Sequence, residues 1–137
     1  MSKQDSVLDA SAFLAYLQAE SGASLVREAL SRGCTMSAVN WAEVLSKVAE
    51  LGKPADELVA ELEKRQLLGT SLRIVPFDGT DAITVGDLRP ITRSLGLSLG
   101  DRACLALGKR LSSPVMTADR AWSQLGNEIG AEVQLIR

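Results

Sequence analysis

Short apolar runs alternate along the chain with longer stretches in which apolar side chains recur at helical spacing. Runs of the first kind are typical of buried strands, and stretches of the second kind are typical of helices that cover a sheet. Their alternation predicts βα units around a mostly parallel sheet. The predicted strands comprise residues 6–8, 34–37, 72–75, 114–116 and 132–136.

The predicted helices lie between these strands, at residues 11–19, 25–30, 39–51, 54–65, 80–95, 101–111 and 118–125. Gly33 and Gly52 mark two helix ends, because glycine readily takes the backbone conformation that follows a helix. Pro54 is expected at the first position of its helix, where a missing N–H is tolerated. Gly86 and Pro90 are expected to interrupt the helical pattern around them.

Composition and charge narrow this interpretation. A chain of 137 residues suits one domain with its own core, so we expect a single three-layer α/β/α sandwich over residues 1–137. Hydrophobic residues make up 46% and aromatic residues only 4%, which predicts an aliphatic core. The net charge of -2 argues against holding nucleic acid by general electrostatic attraction. Any contact with nucleic acid is therefore expected to be local.

Several classes of chemistry are excluded by the residue types present. The chain has no histidine, which removes Ser-His-Asp and Cys-His catalysis. Cys34 and Cys104 form no CxxC pair, so we expect two buried free thiols. The segment MSKQDSVLDASAF lacks the apolar run of a signal peptide, and no stretch approaches a membrane span. We expect a cytoplasmic protein that does not bind a membrane.

Four of the 17 acidic side chains stand where a parallel sheet binds ligands. Asp9 directly follows the first predicted strand, and Asp119 follows the fourth. Glu43 lies one turn into the helix after the second strand. Because parallel strands end on the same edge of a sheet, we expect these carboxylates on one edge. Asp101 joins them if the helix that it opens begins at that edge.

Carboxylates gathered in this way would repel one another and raise each other's pKa unless a cation lay among them. Hard divalent cations take oxygen ligands, and Mg²⁺ uses few carboxylates and keeps several waters. The arrangement suits phosphodiester hydrolysis with one or two metal ions. A structural interpretation stands beside this one, because an aspartate at a helix start caps free N–H groups and complements the helix dipole. A glutamate within a helix is commonly solvated.

Four separated strings resemble the conserved blocks of PIN domains, and most closely those of the VapC toxins of bacterial toxin–antitoxin pairs. They are VLDASA at 7–12, MSAVNWAEV at 36–44, LSLGDRACLAL at 97–107 and TADRAW at 117–122. The resemblance extends in the expected order from residue 7 to residue 137, and includes IVPFD at 74–78. It implies a five-stranded parallel sheet between helices and an endoribonuclease that uses Mg²⁺ or Mn²⁺.

The resemblance also implies roles for the acidic residues. Asp9 and Asp101 would be the main metal ligands. Asp119 would complete the ligand shell, directly or through water. Glu43 would orient or deprotonate the attacking water.

Further residues match supporting positions of the family. Ser11, Asn40 and Thr117 match small polar positions that hydrogen-bond the carboxylates and hold their geometry, although ordinary capping also explains the two hydroxyls. Arg102 and Arg120 each follow a site aspartate and are candidates for phosphate contacts, since guanidinium groups pair well with phosphate oxygens. Exposed charges or ion-pair partners are the alternative for both arginines.

The implied partners are an RNA substrate, a cognate VapB-like antitoxin that blocks the active site, and a second copy in a homodimer. Two alternatives stay open: a PIN nuclease of RNA processing without an antitoxin, and a non-catalytic PIN-fold binding module. The four filled acidic positions argue against the second. A phosphoacceptor receiver domain would need a lysine after the last strand, where Arg137 stands. No GxGxxG or GxxxxGK[ST] nucleotide motif is present.

Overall fold

The computed structural model describes residues 5–137. Residues 1–4, on which the predicted domain start and the beginning of the segment MSKQDSVLDASAF fall, lie outside the described residues. Within residues 5–137 one parallel sheet contains five strands: β1 (Ser6–Leu8), β2 (Cys34–Ser37), β3 (Leu72–Val75), β4 (Val115–Thr117) and β5 (Val133–Leu135). The predicted fold class is confirmed.

The helices cover both faces of this sheet. They are α1 (Ala10–Leu17), α2 (Ala23–Arg32), α3 (Ala38–Glu50), α4 (Ala55–Lys64), α5 (Gly79–Thr92) and α6 (Leu99–Leu111), with 3₁₀ turns at Arg93–Leu95, Arg120–Gln124 and Asn127–Ile129. Phe13, Val44 and Leu62 belong to the core between α1–α4 and the sheet. Leu105 and Trp122 belong to a second core on the opposite face. Each core thus packs one helix layer against one face of the sheet.

The order of the strands is β3-β2-β1-β4-β5, so β1 lies at the centre. Ser6 of β1 is in register with Cys34 of β2, and Val7 with Val115 of β4. The chain runs from β1 towards β2 and β3 on one side, and later adds β4 and β5 on the other. The strand order therefore reverses between β1 and β4. A reversal of this kind opens a crevice at the carboxyl ends of the two strands, which is where open parallel sheets bind ligands.

The predicted starts of the six α-helices differ from the observed ones by one or two residues, and two of these differences change the role of a named residue. Helix α6 begins at Leu99 with Ser98 as its N-cap, so Asp101 is the third helical residue instead of the first. The reason is a capping box, in which the side chains of Ser98 and Asp101 each bond the other's backbone N–H. Pro54 is the N-cap of α4 and has an extended backbone, and Ala55 takes the first helical position.

The predicted interruption of α5 is also wrong, because the helix runs continuously through Gly86 and Pro90. Pro90 has no N–H to donate to the carbonyl of Gly86, four residues before it, so one helical hydrogen bond is lost while the helix continues to Thr92. The predicted helix at 118–125 is a short 3₁₀ turn instead, Arg120–Gln124.

Two further predictions concern burial. Cys34 and Cys104 are both buried free thiols, as predicted. In the part of the chain that the structure describes, none of the helices combines the length and the apolar character needed to cross a bilayer.

An ion pair between Arg110 and Asp81 connects α6 to the first turn of α5. Arg110 Nε and Nη2 donate to the two carboxylate oxygens of Asp81 at 2.9 and 3.1 Å. The Asp81 side chain is 5% exposed and that of Arg110 is 35% exposed. The paired guanidinium therefore compensates a carboxylate that has lost most of its water.

We expect Arg110→Ala to lower the free energy of unfolding by about 2–3 kcal/mol, because it leaves the Asp81 charge buried without its partner. Urea unfolding followed by circular dichroism measures the loss. The control is Arg32→Ala, which removes an ion pair to Glu28 that is exposed on both sides and costs less than about 0.5 kcal/mol. Equal losses for the two variants would contradict the role given to burial.

Candidate functional site

Asp9 lies at the carboxyl end of the central strand β1 and is 4% exposed. It is the N-cap of α1, and its Oδ1 accepts from the backbone N–H of Ala12 at 2.8 Å. The same oxygen accepts from Ser11 Oγ at 2.7 Å, and Oδ2 accepts from Thr117 Oγ1 at 2.5 Å. A carboxylate has about four lone-pair positions, so these three bonds leave one position free. Capping and ligand binding are therefore compatible in this residue.

The two hydroxyls beside Asp9 are held in turn by the backbone that follows β4. Ser11 Oγ accepts from the N–H of Ala118 at 2.9 Å, and Thr117 Oγ1 accepts from the N–H of Asp119 at 3.0 Å. Each hydroxyl thus accepts from the loop and donates to the carboxylate. The arrangement orients Asp9 from α1 and from β4 at the same time.

The carboxyl group of Asp9 has a raised pKa of about 6. Burial is the largest cause, and the negative charge of Asp101 adds to it, while the hydrogen bonds from Thr117, Ala12 and Ser11 lower the pKa. No lysine or arginine between residues 5 and 137 is among these causes. Within this part of the chain, a buried acid is thus held by neutral donors alone.

Asp101 stands in the first turn of α6 and is partly exposed. Its Oδ2 accepts from the N–H of Ser98 at 2.9 Å, and its own N–H donates to Ser98 Oγ at 3.1 Å. The capping box therefore fixes one oxygen of Asp101 at the helix N-terminus, where negative charge is favourable. No bond within residues 5–137 occupies the other oxygen.

Glu43 reaches the same end of α6 from α3. Asn40 Nδ2 donates to Glu43 Oε1 at 2.9 Å and also to the carbonyl of Gly100 at 2.9 Å. Asn40 is 1% exposed, and its Oδ1 is buried without a hydrogen-bond partner among the described residues. This one amide thus joins α3 to the residue that precedes Asp101.

The charges of three acidic residues converge on the thiol of Cys104 in α6. Burial raises the pKa of this thiol, and the negative charges of Asp9, Asp101 and Glu43 raise it further, in that order. These three predicted site residues therefore lie within electrostatic range of one buried thiol. Asp119 is joined to them by its backbone N–H, and its carboxylate is exposed and caps the 3₁₀ turn through the N–H of Ala121 at 3.0 Å.

The two predicted phosphate-binding arginines differ in placement. Arg102 Nη1 donates to the carbonyl of Val85 at 3.0 Å, which directs the guanidinium towards α5. Its Nε is buried without a partner among the described residues. Arg120 is exposed next to Asp119. Phosphate contact stays a prediction for both arginines. To contact a phosphate, the Arg102 guanidinium would have to break its hydrogen bond to the Val85 carbonyl.

The donor set of this site fits a hard divalent cation. Within residues 5–137 no three acidic or cysteine side chains stand close enough together to enclose a metal ion. Mg²⁺ does not require such a cage, because it usually takes one or two carboxylates and keeps several waters. Asp9 and Asp101 each have a carboxylate oxygen with spare capacity, and the unpartnered Asn40 Oδ1 is a further polar atom in the same region.

Two residues of the site were missed from the sequence. Ser98 orients Asp101, and the pattern of a serine three residues before an aspartate at a helix start could have revealed it. Gly100 lies against the carboxylate of Glu43, with which a Cβ at this position would collide. No local pattern reports this second contact, because the two residues belong to different helices.

We expect Asp9→Asn to raise the stability of the metal-free protein at pH 7, by on the order of 2 kcal/mol. The folded-state pKa of about 6 lies above the ordinary aspartate value of 3.8, so between these pH values the folded state binds more protons than the unfolded state. Asp9 therefore lowers stability as the pH rises through that window. Thermal unfolding in chelator at pH 4 to 7.5 measures the effect.

The gain from Asp9→Asn should be complete above about pH 6 and should vanish towards pH 4. The control is Asp87→Asn, since Asp87 is exposed on α5. A gain that does not depend on pH would contradict the assignment of the buried carboxyl group.

Comparison with known proteins agrees with this geometry. The PIN domain family matches residues 6–128 of the chain. No curated protein matches the chain significantly.

Solved structures with the same fold belong to several bacteria. The DNA-bound VapBC of Salmonella typhimurium contains a similar chain, with a TM-score of 0.71 and 13% identity over 98% of this chain and 100% of that one. For FitAcB of Neisseria gonorrhoeae the TM-score is 0.66 and the identity 21%, over 93% of this chain and 95% of that one. For VapBC-5 of Mycobacterium tuberculosis, a member of the VapBC family of toxin–antitoxin systems, the TM-score is 0.59 and the identity 25%, over 97% of this chain and 98% of that one. The fold of these chains, the acidic residues at the switch point and the match over residues 6–128 lead to one conclusion: this chain is a member of the PIN domain family.

Proposed function

We propose that this protein is a metal-dependent endoribonuclease, one PIN domain over residues 1–137, and the toxin of a toxin–antitoxin pair. The observation that supports the proposal is that Asp9 lies at the switch point of the sheet, and that it, Asp101 and Glu43 are all within electrostatic range of the Cys104 thiol. Each carboxylate there is oriented by a dedicated donor. Helix capping is local to each helix and does not require carboxylates from different helices to lie near one another.

Asp9 and Asp101 are the proposed metal ligands. The hydroxyls of Ser11 and Thr117 hold Asp9, and the Ser98 N–H holds Asp101. When bound, Mg²⁺ or Mn²⁺ supplies polarisation of a phosphoryl oxygen and acidifies water. Preoriented carboxylates keep the reacting groups in place without reorganisation during the reaction.

Glu43 is the proposed group that orients the attacking water and takes up its proton. Asn40 donates to Oε1, so Oε2 is the atom at which the proton would be held. Because Asn40 also binds Gly100, this carboxylate keeps its position relative to the first turn of α6. Asp119 is exposed at the mouth of the crevice, where the proposal gives it a contact to the metal through water.

An antitoxin partner is proposed from the family resemblance and from an apolar groove. The groove has a volume of about 270 Å³ and is lined by residues of α1, α3, α4 and the turn after α3, among them Leu14, Leu17, Leu51 and Leu58. Leu51 is 62% exposed and, beside the other apolar residues of the groove, gives a protein partner apolar surface to bury. The predicted homodimer and the cytoplasmic location stay predictions.

We expect the purified protein, free of any bound partner, to cleave RNA with Mg²⁺ or Mn²⁺ and to lose this activity in chelator. Asp9→Asn and Asp101→Asn should each lower the rate by more than about 100-fold, because each removes a ligand oxygen charge. Gel analysis of a structured RNA measures cleavage. Asp87→Asn is the matched control and should cleave as the unsubstituted chain does.

The outcome for Asp9→Asn joins activity to stability, since the same variant should be more stable without metal and inactive with it. Full activity of this variant would overturn the assignment of the site. Absence of cleavage by the unsubstituted protein with either metal would instead favour a non-catalytic binding module.

We expect expression of this chain alone in bacterial cells to arrest growth, and we expect Asp101→Ala to relieve the arrest at an equal protein level. The physical reason is that the arrest requires cleavage of cellular RNA, which the loss of the Asp101 carboxylate prevents. Colony counts after induction, with immunoblots for protein level, measure the effect. Normal growth with an active nuclease would favour a role in RNA processing without an antitoxin.

A further inference from the structure

Gly100 has an environment that its backbone conformation does not explain. It is the second residue of α6 and is buried, although Ser98 and Leu99 before it are exposed. Its φ angle lies outside the left-handed region that requires glycine at other positions such as Gly33. Since alanine is a better helix former than glycine, the absence of a side chain at Gly100 needs another reason.

That reason lies in α3. A Cβ built on Gly100 would lie 2.7 Å from both Cδ and Oε1 of Glu43, a distance that real Cβ atoms essentially never show. The carbonyl of Gly100 meanwhile accepts from Asn40 Nδ2, which also donates to Glu43 Oε1. Glu43 is an exposed residue of α3, and one side of its carboxylate thus lies between an amide donor and a bare Cα. Both contacts come from residues that hold α3 and α6 together.

We propose that Gly100 is a positioning residue: its missing side chain sets how close the Glu43 carboxylate lies to the first turn of α6 and to Asp101. This inference rests on the proposed nuclease function of the same site. Gly100 supplies no reacting group of its own, and its effect is transmitted through the Glu43 carboxylate that it contacts. With a methyl group at this position, the flexible end of Glu43 has to move, because the backbone of Gly100 is held by Asn40.

Other helical glycines of the chain provide matched controls. A Cβ on Gly86, in α5, would meet nothing within 4 Å. A Cβ on Gly108, later in α6, would collide with Val115 Cγ2 in the core. Alanine at the three positions therefore separates a helix-propensity effect, a packing effect and an effect on the site carboxylate.

The first test compares RNA cleavage and thermal unfolding of Gly100→Ala and Gly86→Ala. We expect Gly100→Ala to lower kcat/KM by about 10- to 100-fold, since displacements of about 1 Å in a site have effects of this size. Its Tm should equal or exceed that of the unsubstituted chain, because only a side-chain end has to move. Gly86→Ala should have the same direction of Tm change and unaltered cleavage. Unaltered cleavage by Gly100→Ala, or a fall in both Tm and cleavage like that of Gly108→Ala, would overturn the proposal.

The second test asks whether the effect passes through Glu43. In a Glu43→Ala background, Gly100→Ala should change cleavage by less than about twofold, since interacting sites are not additive. In a Glu43→Asp background, whose side chain is one methylene shorter, the loss caused by Gly100→Ala should be smaller than in the unsubstituted chain. An equal loss in all three backgrounds would show that Gly100 acts independently of Glu43 and would overturn the proposal.

A third readout needs neither RNA nor metal. In chelator, Gly100→Ala should raise Tm more in the Glu43→Ala background than in the unsubstituted chain, because no carboxylate then has to be displaced. Equal Tm changes in the two backgrounds would show that a side chain at position 100 does not displace the Glu43 carboxylate, and would overturn the proposal. This cycle distinguishes failure of the inference from failure of the proposed function, since it gives a result even if the protein does not cleave RNA.

Discussion

The carboxylate of Asp9 lies buried at the centre of the sheet, with hydroxyl donors from α1 and β4 on its two oxygens. Removing an ionisable group from water costs several kcal/mol, and hydrogen bonds from well-placed donors recover part of that cost. The need to supply them constrains the surrounding chain. Ser11 and Thr117 must stand on either side of Asp9, and the loop after β4 must present its N–H groups to both hydroxyls. The central position of β1 makes this possible, because β4 pairs directly with it.

Electrostatic balance in the crevice follows from the same constraint. The N-termini of α1 and α6 direct partial positive charge towards Asp9 and Asp101, yet the pKa of Asp9 remains raised to about 6. Arg102, the basic residue next to Asp101, donates to Val85 on α5. Within the described part of the chain the carboxylates are therefore stabilised by dipoles and neutral donors. A cation from solution would complete this balance, which agrees with a chain whose net charge is -2.

How accurately the helices and strands were predicted depends on whether short-range or long-range interactions set their bounds. Strands β1, β2 and β3 were predicted at their observed bounds, because short apolar runs between turns are local signals. Errors came where a local signal had two interpretations. Asp101 after a glycine resembles an N-cap, but Ser98 takes that role and places Asp101 one turn deeper. Pro90 resembles a helix break, but α5 continues past it to Thr92 with the loss of one backbone hydrogen bond.

The sequence by itself determined the α/β/α architecture, the family and the acidic residues that follow the strands, since these depend on periodicity and on short strings. Only the tertiary structure decided which oxygen of each carboxylate has a partner, where Arg102 points and why position 100 has no side chain. The physical reason is the distance along the chain between partners. Asp9 and Thr117 are 108 residues apart and Asn40 and Gly100 are 60 residues apart, so the contacts that shape the site exist only after the sheet and the two helix layers have packed.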